Sequence, residues 1–310
     1  MLRAGLLWLS EQPRVFRFVR ANRLARLFAS RFVAGETVDS SVAAIAELNR
    51  AGITGTLDFL GESVRRVEEA RVARDTYLRA LDRIKSSGAQ SHVSLKLTQM
   101  GIDVAESECI ENVRAIVARA KAQGSFARLD MEGSAYTART LDLFTQRFHP
   151  EFGDAVGVVL QSYLRRTEQD IADMIARGAR VRLCKGAYKE SADVAFPAKR
   201  DVDANYIACM EQLLRHGNYP AIATHDERII KHARAFVARE GVPTANFEFQ
   251  MLYGVRRDLQ RALRRDGYRL RVYVPFGDQW YPYLMRRLAE RPANIVFLLA
   301  SLTKESLRRG

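Results

Sequence analysis

The chain has 310 residues, 47% of them hydrophobic, with three cysteines and a formal net charge of +13. The apolar share is enough for a sizeable core, and no apolar run approaches the roughly 20 residues of a membrane span. Cysteines and histidines are scattered without CxxC, HxH or HExxH spacing, which excludes a disulfide scaffold and a metal centre and fits a reduced cytosolic compartment.

Residues 1–44 read as a helical extension. Phe16, Val19, Leu24, Leu27 and Phe28 form a broken helical stripe, and Pro13 suits a first helical turn. Arg14, Arg17, Arg20 and Arg23 fall at helical spacing and read as solvated faces. No recognition motif or basic-aromatic groove accompanies the charge, so nucleic acid is not expected as a partner. The apolar start MLRAGLLWLS is too short for a signal peptide. The extension reads as a prelude packed on the main domain, with a basic amphipathic membrane contact as the alternative.

From residue 45 to 310 the chain reads as one catalytic domain. Eight strand-like runs follow in order: ITGTLDFLG, HVSLKLTQ, FARLDME, AVGVVLQSY, RVRLCKGAY, PAIATHD, NFEFQML and YRLRVYVPFG. Helical patterns fill 62–86, 104–123, 166–177, 200–216, 226–240 and 255–265. Gly178, Gly241 and Gly267 stand where helices should stop. Strand–helix alternation implies parallel pairing, and eight units over about 250 residues match a (β/α)8 barrel. A doubly wound sheet would bind nucleotide through a Gly-rich first turn, and neither GxGxxG nor GxxxxGK[ST] occurs. The apolar tail PANIVFLLASL (292–302) reads as a helix docked on the barrel, with reversible membrane contact as an addition.

Polar groups gather at the predicted strand ends, which in a barrel converge on one mouth. In strand order they are Asp58 and Glu62; Lys96, Thr98 and Gln99; Asp130 and Glu132; Gln161; Arg182 and Lys185; Thr224 and His225; Gln250; and Tyr273. Lys96, Thr98 and Asp130 lie in apolar runs where an unpaired polar group is costly, so each needs a partner or a ligand. Lys96 with Asp130 reads equally as an internal ion pair. His225 reads equally as a structural histidine. Glu132 and Glu248 have no assigned chemistry. After the last strand, Pro282 should set a helix start, with Tyr281, Tyr283 and Leu284 as apolar surface. Arg286 and Arg287 on that helix suit the clamping of a carboxylate by planar, charge-assisted hydrogen bonds, or else form a solvated face.

Four strings, VSLKLTQMG (93–101), RLCKGAY (182–188), FEFQMLYG (247–254) and VYVPFGDQWYPYLMRRLAE (272–290), resemble the proline dehydrogenase family in sequence and order. The resemblance covers nearly the whole barrel, from LDFLGE (57–62) to RRLAERPAN (286–294). It implies a distorted (β/α)8 barrel with FAD on the C-terminal face and a last helix over the mouth. It implies oxidation of L-proline to Δ1-pyrroline-5-carboxylate by hydride transfer from C5 to flavin N5, the first step of proline catabolism to glutamate. Lys96, Asp130 and Arg182 are then catalytic. Lys96, Arg286 and Arg287 hold the carboxylate, and Tyr188, Leu252 and Tyr273 line the pocket. Gln161, Arg182, Lys185, Gly186, Ala187, Thr224, His225 and Glu290 hold the flavin, and Glu62 pairs with Arg286 when the lid closes.

The resemblance further implies electrons passed to a membrane quinone. It places the chain in the cytoplasm, with peripheral contact at the inner membrane. Lys189 departs from the aromatic residue that many members carry after KGAY. The chain lacks a second aldehyde-dehydrogenase module and resembles the stand-alone bacterial type, so a separate pyrroline-5-carboxylate dehydrogenase would take the product. Two other readings stand beside this one. A Schiff-base aldolase would use Lys96 or Lys185 with a depressed pKa. A basic surface-binding module would carry no flavin and bind in a salt-dependent way.

Overall fold

The computed structural model describes residues 29–290, with side chains through Met285. Most of the expected N-terminal extension, the side chains of Arg286, Arg287 and Glu290, and the tail at 292–302 lie outside the described residues.

Eight strands close into a barrel in chain order: β1 (Thr54–Phe59), β2 (Ser91–Leu95), β3 (Ala127–Leu129), β4 (Val156–Gln161), β5 (Arg180–Cys184), β6 (Ala221–Ala223), β7 (Glu248–Leu252) and β8 (Leu270–Phe276). Every neighbouring pair is parallel, and β8 returns to pair with β1. Seven strands lie inside the runs read from sequence, and β2 begins one residue ahead of its run, at Ser91. Among the described residues ten α-helices accompany them: α1 (Val38–Arg50) precedes β1, then α2 (Val67–Ser87), α3 (Glu106–Ala122), α4 (Ser134–Leu143), α5 (His149–Phe152), α6 (Thr167–Ala176), α7 (Lys199–His216), α8 (Glu227–Glu240), α9 (Arg257–Arg265) and α10 (Trp280–Glu290). Helix α1 carries the chain across residue 44, where the extension is expected to end.

The two faces of each strand differ. Leu57, Val93, Leu95, Leu129, Val158, Leu183, Phe249 and Val272 are buried in one apolar cluster with residues of the surrounding helices. Their neighbours in sequence, on the opposite face by strand alternation, are Thr56, Asp58, Ser94, Arg128, Asp130, Arg182, Glu248, Gln250 and Arg271, all buried too. Most barrels of this class fill that space with branched apolar chains. Here the interior is polar, so its stability depends on mutual pairing.

Local signals explain the helix boundaries. Thr37 and Ser40 form a capping box at the start of α1. The Asp226 side chain accepts from Arg228 N at 3.1 Å and caps α8, which ends on Gly241 at φ 67°. At Gly55 an added Cβ would lie 1.9 Å from Ile45 Cδ1, so the glycine lets α1 lie directly on β1. The connection between β3 and β4 is not foreseen in the sequence. There α4 widens into a single π-helical stretch, Phe144–Phe148, before the short α5.

Helix α10 starts two residues earlier than expected, at Trp280, so Pro282 sits inside its first turn. Trp280, Tyr281, Tyr283 and Leu284 pack with Leu60, Ala29 and Val33. Leu60 follows β1 directly, so α10 begins on the C-terminal rim of the barrel. Segment 29–36 is tied to the same rim: Ala34 N donates to Pro275 O at 2.9 Å and Trp280 Nε1 to Glu36 Oε1 at 3.1 Å.

Candidate active site

The C-terminal ends of β1, β2, β3, β5 and β8 bring five ionisable side chains together. Tyr77 of α2 ties the first two ends: its hydroxyl donates to Ser94 O at 2.7 Å and accepts from Phe59 N at 3.2 Å. Register places Asp58 opposite Ser94, and Lys96 lies one step further along the same face. Lys96 Nζ donates to Asp58 Oδ1 at 2.8 Å. It also lies 3.6 Å from Asp130 Oδ2 and 3.7 Å from Glu62 Oε1. The expected Lys96–Asp130 ion pair is therefore present, at 3.6 Å, and Asp58 at 2.8 Å is the shorter partner of Lys96 that the sequence did not single out.

Asp130 is bound more tightly by other groups. Its Oδ1 accepts from Ser94 Oγ at 2.6 Å and from Arg182 Nη1 at 2.7 Å, and its Oδ2 accepts from Tyr273 OH at 2.6 Å. Arg182 Nε donates to Gln250 Oε1 at 2.6 Å, and the guanidinium lies 5.1 Å from the centre of the Tyr273 ring. Gln250 in turn donates to Glu248 at 2.6 Å, and Glu248 accepts from Arg271 at 2.8 Å. A paired chain thus runs from the mouth to the barrel floor. Two buried polar atoms at the mouth have no hydrogen-bond partner among the described residues: Arg182 Nη2 and Gln161 Oε1.

Burial and charge set the ionisation. The Asp58 carboxyl is pushed up to about 6 by burial, with Lys96 pulling it down and Asp130 and Glu62 pushing it up. Burial acts to lower the Lys96 ammonium, but the charges of Asp58, Glu62 and Asp130 around it hold it well above the usual lysine value. Burial would raise Asp130, yet Arg182, Lys96 and the Ser94 and Tyr273 hydroxyls hold it below the usual range. The Tyr273 phenol is raised well above its usual value by burial and by the adjacent carboxylates. An amine that forms a Schiff base must shed its proton readily. Lys96 is shifted the opposite way, which removes it as the nucleophile of the aldolase alternative.

A second group lies at the ends of β5 and β6. Lys185 Nζ donates to Asp203 at 2.5 Å and Asp226 at 3.1 Å, and Lys199 also contacts Asp203. Lys185 is therefore matched by two carboxylates, whereas Arg182 pairs with Asp130 through Nη1 and leaves Nη2 without a partner among the described residues. Thr224 is buried and its hydroxyl accepts from Asp226 N at 3.1 Å. His225 Nε2 accepts from Leu252 N at 3.0 Å, which ties two expected site residues together. Gly186 has φ 102°, and a Cβ there would lie 2.1 Å from Tyr163 Cδ1, so its backbone lies against that ring. Ala187 follows it in the same loop, and Tyr188 stands on the rim at 39% exposure.

Ser94 belongs to the cluster and is not foreseen in the sequence, while Asp58 is expected at the mouth but without an assigned role. Alternation from Lys96 would have found Ser94, and Asp58 was visible only as one polar strand end among many. Among the described residues no group of histidines, cysteines and acids is placed to hold a metal ion. Cys109 and Cys209 are buried thiols pushed up to about 12 by burial, and Cys184 Sγ lies 3.6 Å from Leu160 O.

Comparison with known proteins finds relatives over nearly the whole chain. The sequence profile of a family described as proline dehydrogenase matches residues 41–299. Proline dehydrogenase 1 of Bacillus subtilis (strain 168) is 42% identical over 305 residues, 98% of this chain and 100% of that protein. Proline dehydrogenase of Deinococcus radiodurans is 42% identical over 308 residues, 98% of each chain. The crystal structure of proline utilization A (PutA) from Bdellovibrio bacteriovorus inactivated by N-propargylglycine superposes with a TM-score of 0.80 at 25% identity. That match covers 92% of this chain and 38% of the larger protein.

Proposed function

The chain belongs to the proline dehydrogenase family, and from that premise we propose that the barrel mouth oxidises L-proline to Δ1-pyrroline-5-carboxylate with bound FAD. The reaction is an oxidoreductase step of proline catabolism, leading towards glutamate. The carrying observation is the buried Arg182 Nη2, left without a partner beside a fully paired cluster. A buried charged donor in that condition is costly unless a ligand completes it. Gln161 Oε1 adds an unpartnered acceptor. One donor and one acceptor fit the edge of a flavin ring, which presents both kinds of atom. Gly186, Ala187, Thr224, His225 and Lys185 lie on the β5 and β6 loops of the same face and complete the holding set, with Glu290 from α10. Lys185 must then share Asp203 and Asp226 with the cofactor.

Substrate charge is matched as follows. Three carboxylates, Asp58, Glu62 and Asp130, lie around two cations, Lys96 and Arg182. An incoming carboxylate needs more positive charge than the described cluster offers. Arg286 and Arg287 on α10 supply it, so the clamp forms only when that helix lies over the mouth. Glu62 holds the gate by pairing with Arg286 once the lid is down. Lys96 holds the carboxylate from below, and Asp130 fixes Tyr273, whose ring stands with Tyr188 and Leu252 against the apolar carbons of proline. A flavin bound there would supply the acceptor for a hydride from proline C5, and the ring nitrogen would release its proton to solvent to leave the imine. Arg182 places positive charge where negative charge accumulates during that transfer. Closing α10 excludes water, which strengthens these contacts and protects the imine product.

In this reading the electrons pass on to a membrane quinone and the product to a separate pyrroline-5-carboxylate dehydrogenase. The protein works in the cytoplasm with peripheral contact at the inner membrane, and the chain divides into an N-terminal extension (1–44) and the catalytic barrel (45–310). Among the described residues no helix is long and apolar enough to cross a membrane. The visible spectrum of purified protein tests the cofactor: a yellow protein that releases flavin on boiling supports it. A colourless protein that gains no proline-oxidising activity with added FAD refutes it.

A further inference from the structure

Among the described residues Glu132 is a buried carboxylate that touches none of the cluster groups by hydrogen bond, yet it anchors Thr98, to which the loop after β1 is also tied. It lies just beyond β3, two residues past Asp130. Its Oε1 accepts from Thr98 Oγ1 at 2.5 Å and its Oε2 from Thr98 N at 3.1 Å. Thr98 stands two residues past Lys96. Because its hydroxyl proton goes to Glu132, its oxygen is free to accept, and it does so from Ser63 N at 3.2 Å. Thr98 O accepts from Val64 N at 3.3 Å. Ser63 adopts φ 58°, a conformation that a non-glycine residue holds only when its surroundings impose it. The residue before it is Glu62, whose carboxylate lies 3.7 Å from Lys96 Nζ.

We propose that Glu132 is a positioning residue for proline oxidation: through Thr98 it sets the turn at Ser63 and so fixes where Glu62 stands relative to Lys96 and the closing helix. The inference rests on the reaction proposed above. The polarity of the relay depends on an ionised Glu132. A carboxylate accepts both Thr98 donors. A neutral carboxyl carries a donor of its own, and Thr98 Oγ1 must then turn its proton away or lose Ser63. Glu132 is pushed up to about 7 by burial, against the two Thr98 hydrogen bonds, with Glu62 adding to the rise and Lys96 opposing it. The titratable groups that face it are Glu62, Lys96, Tyr136 of α4 and Cys109 of α3. Of these, Lys96, Tyr136 and Cys109 are all shifted upward and keep their charge state near neutrality. The clamp should therefore loosen as pH falls through about 7.

The test uses Glu132→Gln, Thr98→Val and Thr98→Ser in the full-length holoenzyme. Glutamine mimics the neutral acid, valine deletes the bridging oxygen, and serine retains it. Steady-state kinetics should show KM for proline raised roughly 5- to 10-fold in the glutamine and valine variants, the effect of one lost hydrogen bond, with kcat changed less. The serine variant should match wild type. In wild type, kcat/KM should fall through an ionisation near 7 that is absent from Glu132→Gln, while a lower step from Asp58 near 6 remains in both. Hydrogen exchange read at the Ser63 and Val64 amides needs no turnover. Protection at both should drop in wild type below neutral pH and be low at all pH in Glu132→Gln and Thr98→Val. Unchanged protection at Ser63 and Val64, with wild-type KM in the valine variant, overturns the proposal. If the wild type fails to oxidise proline, the reaction assignment falls, and the exchange experiment still decides the clamp by itself.

Discussion

Replacing Lys96 with methionine removes the one cation, among the described residues, within hydrogen-bond reach of Asp58, which is 1% exposed. Breaking a buried ion pair from one side costs about 3–5 kcal/mol, because the remaining charge has lost its partner. Asp58 has an escape. Its carboxyl already titrates at about 6, and without Lys96 the value rises further, so the native variant takes up a proton. The unfolded chain does not hold that proton above its ordinary carboxylate range. Native protein then binds more protons than unfolded protein, and stability falls as pH rises, by about 1.4 kcal/mol per pH unit. The deficit of Lys96→Met should be largest near pH 8 and smaller by about 3 kcal/mol near pH 6, from two units at that slope. For a domain of this size each kcal/mol moves the midpoint roughly 2–4 °C, so a loss of roughly 6–20 °C is expected near pH 8. Thermal unfolding followed by circular dichroism at both pH values is the assay. A midpoint within a degree or two of wild type at both, or an equal deficit at both, would refute a buried charge balance centred on Lys96.

Other consequences follow from the same geometry. Gly186→Ala forces a side chain at φ 102° into the Tyr163 ring, so stability should drop by at least about 1–3 kcal/mol and flavin occupancy should fall with it, read by absorbance ratio and thermal midpoint. Arg287→Met should raise KM for proline roughly 30–150-fold, from a carboxylate clamp worth about 2–3 kcal/mol, while flavin content stays full. Wild-type stability should decline as pH rises from about 5 to about 7. The folded values of Asp58 and Glu132 are raised, so the native state holds protons there that the unfolded chain has lost. Glu132→Gln should flatten the upper part of that decline in an unfolding-midpoint series.

The barrel itself was readable because each strand is a short apolar run closed by polar residues, and each helix carries its own stop, as at Gly178 and Gly241. The π-helical stretch at Phe144–Phe148 was not, because neither its residues nor their spacing differ from those of an ordinary helix end. Within the site, alternation told which residues share a face but not which partners they choose. The Lys96–Asp130 pair is legible in this way and forms at 3.6 Å, but the shorter bond from Lys96 to Asp58 is not. Glu132 and Glu248 remained without roles for a related reason. Their hydrogen bonds join residues 34 positions apart in one case and 23 in the other, and no local pattern announces them. Cys184 shows the opposite case: strand alternation sets its side chain on the other face from Lys185, and its thiol contacts Leu160 O of the neighbouring β4.

The central claim is that this mouth binds L-proline and moves two electrons to a flavin held by Arg182 and Gln161. Anaerobic mixing of purified protein with L-proline, followed through its visible absorbance, tests it most directly. The expected result is loss of the oxidised-flavin colour with formation of a product two hydrogens lighter than proline, both strongly slowed in Arg182→Met protein that still carries flavin. A yellow protein whose spectrum is unchanged by saturating L-proline would contradict it.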